Sequence, residues 1–526
     1  GGRPVGASWS RSPVIAQNGM AATAHPLATQ IALQIMKDGG NAVDAAIAAL
    51  LTACVAEPLL ASLGGGGHAL VQTDQHPTAC LDFFAHTPRQ QRTGAVDFYP
   101  ILGNFGTTTQ EFHVGTASTA TPGVVAGLDA LHARFGSLPK KRLIEPAQCA
   151  ARAGVALNAL QHHTLQILEP IVRATPQAAR WARLVDQRAP LPSVGTLIQR
   201  PRLADFLDQW AQDGADAFYR GSLANALIDD HRTLGGHLQH ADLQGYRARW
   251  RRPLKWRYRD ATLWSNPPPA FGGMMLALST LHLSQRLDPH TGFGSVAHLE
   301  ALIDTMHQVN DDRCRLEDPG LQGARAKLNN QFRDLVERHS LARKGTTHIS
   351  IDDGQGCAVS MTVSNGEGSG HVLEDAGTMM NNVLGEEDIN RGGFHCWPVN
   401  RRLASMMTPT ILHHRTKSHR YLMGSGGSNR IRTALLQVLS HLVDFDMDLT
   451  SAIAAPRIHL EGDHLSVELA EAWSPAAQAW LLEHHPTATR WATRSLFFGG
   501  VHATGPSDAS ADTRREGASV MGESVP

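Results

Sequence analysis

The sequence predicts an α+β protein in which two β-sheets are covered by helices. Three observations predict it. The run Ala42 to Cys54 is Ala-rich and apolar nearly all round, the pattern of a helix without a solvent face. Residues Thr347 to Ile351 and Cys357 to Val363 read as strands flanking Asp352-Asp353-Gly354-Gln355-Gly356, whose Asp and Gly residues suit a turn, so together they form a β-hairpin. Strand runs and helix runs are also segregated along the chain, which favours stacked layers. With 526 residues the chain can bury a large core, and length alone allows two to four domains.

In chain order, Leu27 to Lys37 places Ile31, Leu33, Ile35 and Met36 at helical spacing, and Asp38-Gly39-Gly40-Asn41 stops that helix. Asn41 N-caps the next helix, which Pro58 ends. Gly64 to Gly67 lead into a strand at His68 to Val71. They permit close backbone approach but do not fit the GxGxxG dinucleotide pattern, and no acidic partner follows at the right distance. Asp205 to Leu281 reads as helices, a Gly235-Gly236 turn and a strand over Asp260 to Ser265. Asn310-Asp311-Asp312-Arg313 reads as a solvated helix end. After the hairpin come Gly377 to Asn382, the acidic stretch Leu384 to Asp388, a strand over Ser405 to Leu412 and another over Tyr421 to Gly424 that runs into a Gly-rich turn. A helix over Asn429 to Val443, a strand over Phe497 to Ala503 and a last strand over Ala518 to Met521 complete the chain.

Composition excludes some functions. Hydrophobic content of 42%, charged content of 18% and a net charge of −1 give no nucleic-acid or membrane signal. The longest apolar run, Ala45 to Ala56, is too short to span a bilayer. Gly1 to Gln17 lacks the charged-then-apolar pattern of a signal peptide, which favours a cytoplasmic over a periplasmic location; the first residue is not Met, which is consistent with a leader already removed. Cys54, Cys80, Cys149, Cys314, Cys357 and Cys396 form no CxxC and are expected to be buried or idle thiols. The pairs His162-His163 and His413-His414 have no third partner at metal-ligand spacing, so no metal site is expected.

Thr346 follows Gly345 at the mouth of the hairpin. A Thr hydroxyl is a weak nucleophile that needs a base. A Thr that is the first residue of a chain carries one, its α-amine, with an ordinary pKa of about 8. Thr346 is internal, so this chemistry requires that the Gly345–Thr346 bond be cut. Gly345 places no side chain in the way of attack on its carbonyl and tolerates strained backbone. Local sequence alone favours a plain loop entering a strand; the rest of the chain changes that.

The runs Thr346-Thr347-His348-Ile349-Ser350, Gly356-Cys357-Ala358-Val359-Ser360 and Gly424-Ser425-Gly426-Gly427-Ser428 resemble the small-subunit signatures of the γ-glutamyltranspeptidases, N-terminal-nucleophile hydrolases that cut themselves before a Thr. Gly39-Gly40-Asn41-Ala42-Val43-Asp44, the tetraglycine, Thr121-Pro122-Gly123 and Asn266-Pro267-Pro268-Pro269 with Gly272-Gly273 are similar to the large-subunit motifs. The resemblance runs from Gly19 to about Met521. It implies a four-layer αββα sandwich made from both halves of a self-cleaved chain, a large subunit 1–345 and a small subunit 346–526 from one precursor.

The resemblance also implies roles. Thr346 matches the nucleophile, and Gly426 and Gly427 match the oxyanion-hole glycines. Ser364 falls where the family has a Thr that hydrogen-bonds the nucleophile. Asn365 stands for a substrate-binding Asn, Ser405 for the second of two Ser that hold the substrate carboxylate, and Glu386 for an acidic residue that binds the substrate amine. No metal or organic cofactor is implied. Four departures stand out. The first carboxylate Ser is Ala404, a Gln that helps hold the amine is Val383, and the Arg expected after Asp82-Phe83 is Phe84; an aromatic ring cannot replace bidentate Arg–carboxylate pairing. Arg89 is the local candidate to substitute. The segment Gly392 to Pro398 is altered where the family has a lid over the substrate. The implied function is a self-processing γ-glutamyltransferase or hydrolase that cleaves γ-glutamyl amides such as glutathione. The alternatives are a cephalosporin-acylase-like enzyme for a non-glutamyl amide, which the missing Arg favours, or an uncleaved, non-catalytic relative.

Overall fold

Strands from both sides of residue 345 share each of the two main sheets. In chain order these strands are β1 (Met20–Thr23), β2 (Gly66–Thr73), β3 (Ala79–Asp82), β4 (Arg249–Arg251), β5 (Leu254–Tyr258), β6 (Ala261–Ser265), β7 (Thr346–Asp352), β8 (Cys357–Ser364), β9 (Thr410–His414), β10 (His419–Gly426), β11 (Gly500–Thr504), β12 (Ala509–Ala511) and β13 (Ala518–Met521). The first sheet has the order β13-β1-β7-β8-β2-β3-β4 and the second β12-β11-β10-β9-β6-β5, antiparallel throughout. The structure is a computed structural model and describes residues 19–104, 109–316, 345–386, 393–427, 430–515 and 517–521. Gly1 to Gln17, Glu387, Asp388, Gly392, Ser428 and Asn429 lie outside the described residues.

The sequence explains the helices. α1 (Pro26–Lys37) starts on a Pro, whose missing N–H costs nothing in the first turn, and His25 Nδ1 caps the Leu27 N–H. α2 (Ala42–Ala56) begins with a capping box: Asn41 Oδ1 accepts from the Asp44 N–H, and Asp44 Oδ2 accepts from the Asn41 N–H. All 15 residues of α2 are buried, as its all-round apolar sequence predicts. With α3 (Val124–Phe135), α4 (Lys140–Ala153) and α5 (Pro201–Asp213), it packs on Ile349, Ile351, Val359, Met361, Val363 and Val71 of the first sheet. After α6 (Ser222–Leu234), capped by left-handed Gly235, three more helices, α7 (Gly272–Arg286), α8 (Val296–Leu316) and α9 (Arg430–Val443), share a core with Leu263, Leu412, Met423 and Val501 of the second sheet. Leu70, Cys80 and Ala358 of the first sheet meet Ile411 and Leu422 of the second.

Two sequence expectations are corrected. Only Thr410–His414 pairs as a strand in the run expected from Ser405; the stretch before it carries Pro409, which lacks an N–H, and turns its carbonyls elsewhere, Ser405 O accepting from the Gly272 N–H and Met407 O from Asn266. Asn310-Asp311-Asp312 lies within α8 and is not a solvated cap. Asp312 is buried and accepts from His282 at 2.8 Å, and Asn310 accepts from Arg432 at 2.6 Å, because α8 is packed against α7 and α9. Among the described cysteines all are free and Cys54 and Cys80 are buried, but Cys149 and Cys396 are exposed; the Cys314 side chain lies outside the described residues.

The tetraglycine lets β2 lie close to β8. A Cβ on Gly65 would stand 2.4 Å from the Ser364 carbonyl oxygen, and one on Gly67 2.4 Å from that of Thr362. Backbone oxygens cannot swing away as a side chain can. Gly65→Ala should therefore push the strands apart and cost about 1–3 kcal/mol in urea denaturation; an unchanged midpoint would contradict the close approach.

Candidate active site

Thr346 opens β7 directly opposite Ser364 at the end of β8, and Ser364 in turn faces Gly66 on β2. Alternation along β7 sends Thr347 toward the helices and Thr346, His348 and Ser350 toward the second sheet. That inner face is polar. His348 Nδ1 lies 2.7 Å from Thr362 Oγ1 and its Nε2 2.8 Å from Ser350 Oγ, and a Cβ on Gly424 of β10 would strike the His348 ring. Burial, with the neighbouring His502, holds His348 well below the ordinary histidine value, so it is neutral.

The peptide bond before Thr346 is gripped. The Gly345 carbonyl oxygen accepts from Ser364 Oγ at 2.8 Å and from the Asn365 N–H at 3.2 Å. Ser364 Oγ itself accepts from the Gly366 N–H at 3.1 Å, which leaves its proton for Gly345. Two donors on one carbonyl polarise it and are placed to hold negative charge there. Gly345 must be Gly, since a Cβ would lie 1.6 Å from the Gly366 oxygen. On the other side of Thr346, a Cβ on Gly426 would stand 2.4 Å from the Thr346 carbonyl oxygen, and Gly427 has φ 117°, a conformation that favours glycine.

Of the residues expected at the site, Gly345, Thr346, Ser364, Asn365, Gly426 and Gly427 are thus brought together. Glu386 joins them from the far side of Gly366, whose Cβ would lie 2.9 Å from Glu386 Oε1; Glu386 is buried. Ser405 stands further along the first sheet, its Oγ 3.3 Å from His68 Nε2 on β2. Arg89 does not substitute for the missing Arg. Its Nε donates to Ala241 O and its N–H to Asp242, on a short exposed helix.

Phe84 sits just beyond β3, level with Gly66. It forms a buried apolar cluster with Val383, Leu384, Trp397, Leu403 and Met407. The cation beside it is Arg402, buried: Nη1 donates to Phe84 O and Tyr246 Oη, Nη2 to Arg247 O, and Nε lies 3.5 Å from Asp82 without a hydrogen bond. Burial alone would raise the Asp82 carboxyl, but Arg402, His68 and Arg251 hold it below its ordinary range. Burial lowers His68 to about 4 in spite of Asp82, so Ser405 faces a neutral imidazole.

Sequence reasoning missed three groups around Thr346 and Phe84. Arg402 precedes Ser405 by three positions, yet nothing local marks it as buried. Glu57, at the end of α2, accepts from Thr347 Oγ1 at 2.7 Å. Arg515 donates from Nη1 to the Thr346 carbonyl at 2.9 Å. Burial pushes the Glu57 carboxyl up to about 7, against the Thr347 hydrogen bond and the Arg515 charge, and lowers the Arg515 guanidinium to about 10. The signal available for Glu57 was a charge closing an otherwise all-apolar helix. Arg515 carried none beyond the pair Arg514-Arg515.

Comparison with known proteins places this geometry. The family model described as gamma-glutamyltranspeptidase matches residues 28–522. A glutathione hydrolase proenzyme of Escherichia coli is 29% identical over 87% of this chain and 83% of its own length. An acylase ACY 1 proenzyme of a Pseudomonas species (strain V22) is 29% identical over 90% of this chain and 88% of its own. The crystal structure of a cephalosporin acylase from Bacillus halodurans superimposes with a TM-score of 0.78, covering 99% of this chain and 98% of that one at 23% identity, which speaks for a common fold.

Glu57 makes stability depend on pH. Its folded-state value, about 7, lies above the ordinary 4.5. The contribution is therefore complete below about 4.5 and lost as pH rises through about 7. Between pH 4.5 and 8 the wild type should lose stability relative to Glu57→Gln, measured by urea denaturation across that range; a constant difference would refute the assignment.

Proposed function

This chain belongs to the gamma-glutamyltranspeptidase family, and we propose that it is a self-processing enzyme whose nucleophile is the Thr346 hydroxyl. The observation that carries the reading is the Gly345 carbonyl, which receives Ser364 Oγ–H and the Asn365 N–H while its own C–N bond leads straight into Thr346. Thr346 Oγ adds to that carbonyl carbon and gives its proton to a water; the carbonyl electron pair moves to the oxygen between the two donors. Collapse breaks the C–N bond, the nitrogen takes up a proton and becomes the α-amine of Thr346, and an ester joins Gly345 to Oγ. Water hydrolyses the ester to a Gly345 carboxylate and a free hydroxyl. The products are residues 1–345 and 346–526, interleaved in one four-layer αββα unit.

In the matured enzyme the α-amine takes the Oγ proton as Oγ attacks a substrate amide. Backbone N–H groups at Gly426 and Gly427 receive the oxyanion, the amine departs with a proton, and water or a second amine resolves the acyl-enzyme. γ-Glutamyl amides are the substrate class supported by family membership, with Asn365, Glu386 and Ser405 as the polar groups for the amino-acid end. A specific observation favours a second reading, an amide of a non-glutamyl acid. Counting strands from Thr346 through Ser364 and Gly66 to Phe84 gives three spacings, about 14 Å. A γ-glutamyl carboxylate lies only about 5 Å from its scissile carbon, and the apolar cluster around Phe84 lacks the cation with which a side chain at that position could reach back to it.

Mass analysis of the purified protein should give two pieces, the smaller beginning at Thr346, and Thr346→Ala should abolish both the cut and all amide turnover. Ser364→Ala should slow the cut about 10²-fold, the usual loss for one oxyanion donor. A single uncut chain that turns over substrate would overturn the nucleophile, and an uncut inert chain would favour the non-catalytic alternative. A γ-glutamyl anilide and an apolar acyl anilide, assayed side by side, separate the two substrate readings. On the second reading Phe84→Arg should raise the ratio of γ-glutamyl to apolar turnover; an unchanged or lower ratio would remove Phe84 as the determinant.

A further inference from the structure

Arg515 takes no part in the steps above, yet it lies against the nucleophile. Its Nη1 donates to the Thr346 carbonyl at 2.9 Å, and its guanidinium fills the space over Gly426 that a Cβ would occupy. The side chain is buried, with 7% of its surface exposed. Its counter-charge is Glu57, itself 1% exposed and bound to Thr347, the very next residue. Thr346 is therefore flanked by a cation on its own carbonyl and, one residue on, by a carboxyl that burial leaves about half ionised near pH 7.

The other ionisable groups facing this point are few among the described residues. Asp512, which also attracts Arg515, is already paired with Arg457 at 2.7 Å and Arg514 at 3.3 Å. His348 and His502 are neutral through burial. Glu386 lies beyond Gly366, on the side of Gly345.

We propose that Arg515 is a positioning residue that sets the strength of the catalytic base, its fixed positive charge keeping the α-amine of the matured Thr346 in the free-base form at neutral pH. The proposal rests on the reading of Thr346 as a cut N-terminus. The geometry dictates the sign. The Thr346 nitrogen is two bonds from the carbonyl that Arg515 grips, which puts the guanidinium about 5 Å from it. A like charge at that range disfavours the ammonium form by about one to three pH units from its ordinary value of about 8. Only the free amine can accept the Oγ proton. Arg suits the task because it stays charged even when buried. Glu57, to the extent that it is ionised, tempers its field.

The test titrates the amine itself and needs no substrate. Matured protein is pulsed with acetic anhydride at a series of pH values, and acetylation of the Thr346 amine is read by mass spectrometry of the peptide that begins there. The wild-type midpoint should fall below about 7. Arg515→Met should raise it by about one unit or more, Arg515→Lys should leave it near the wild type, and Glu57→Gln should lower it by less than that, since this carboxyl is itself partly protonated over the range. Opposite shifts on removing the two charges are a signature that loss of packing does not produce. A wild-type midpoint at or above about 8, an unmoved midpoint in Arg515→Met, or a rise in Glu57→Gln would each overturn the proposal. If Arg515→Met does not mature, the wild-type midpoint and Glu57→Gln decide. A wild type without a free Thr346 terminus would instead overturn the nucleophile reading on which this one stands.

Discussion

The pairing of Thr346 with Ser364 is the constraint on which the site depends. That register puts a hydroxyl on the carbonyl that precedes Thr346 and puts Thr347 on Glu57. A slip of one residue would turn Thr346 toward the helices and Thr347 toward the second sheet, exchanging every contact at once. The apolar residues Ile349 and Ile351, which must face α2, forbid the slip. The catalytic register is thus enforced by a core that has no chemistry of its own.

The inner face of the first sheet is costly to build. Hydroxyls and imidazoles of His348, Ser350, Thr362 and Ser360 occupy a layer where aliphatic residues would pack more easily, and each finds a partner across or along the sheets. The return is a rigid, polar floor beneath Thr346. The same division recurs at the other end of the site, where Asp82, Arg251 and Arg402 form a closed charged group behind Phe84. The family resemblance implies a group there that grips a carboxylate; what stands there is a buried ring braced by a buried ion network.

Much of this was legible in the sequence. The positions of α1, α2, β7 and β8 follow, to within one or two residues at their ends, from periodicity, from Asn41 and from the Asp-Gly turn. The motif residues Gly345, Thr346, Ser364, Asn365, Gly426 and Gly427 converge as the family pattern implies. What could not be read was set by tertiary contact. The strand expected from Ser405 is half a loop because its carbonyls cap α7 and bind Asn266, partners more than a hundred residues away. Glu57 meets Thr347 and Arg515 meets Thr346 from opposite ends of the chain, and a single charged residue in sequence carries no mark of the charge it will face.

The order of strands in the two sheets has a further meaning for the life of the molecule. β1 lies between β7 and β13, β2 lies against β8, and β6 lies against β9, so neither side of the 345–346 bond owns a complete sheet. An intact chain brings these strands together as one molecule, with every partner held at high local concentration. Once cut, the same sheets become an association of two chains, and recovery from unfolding depends on how often separate pieces meet. On the proposed reading, cutting after folding would act as a ratchet. It leaves the native contacts untouched but removes the covalent route back, so the matured form would rely on slow unfolding for its persistence.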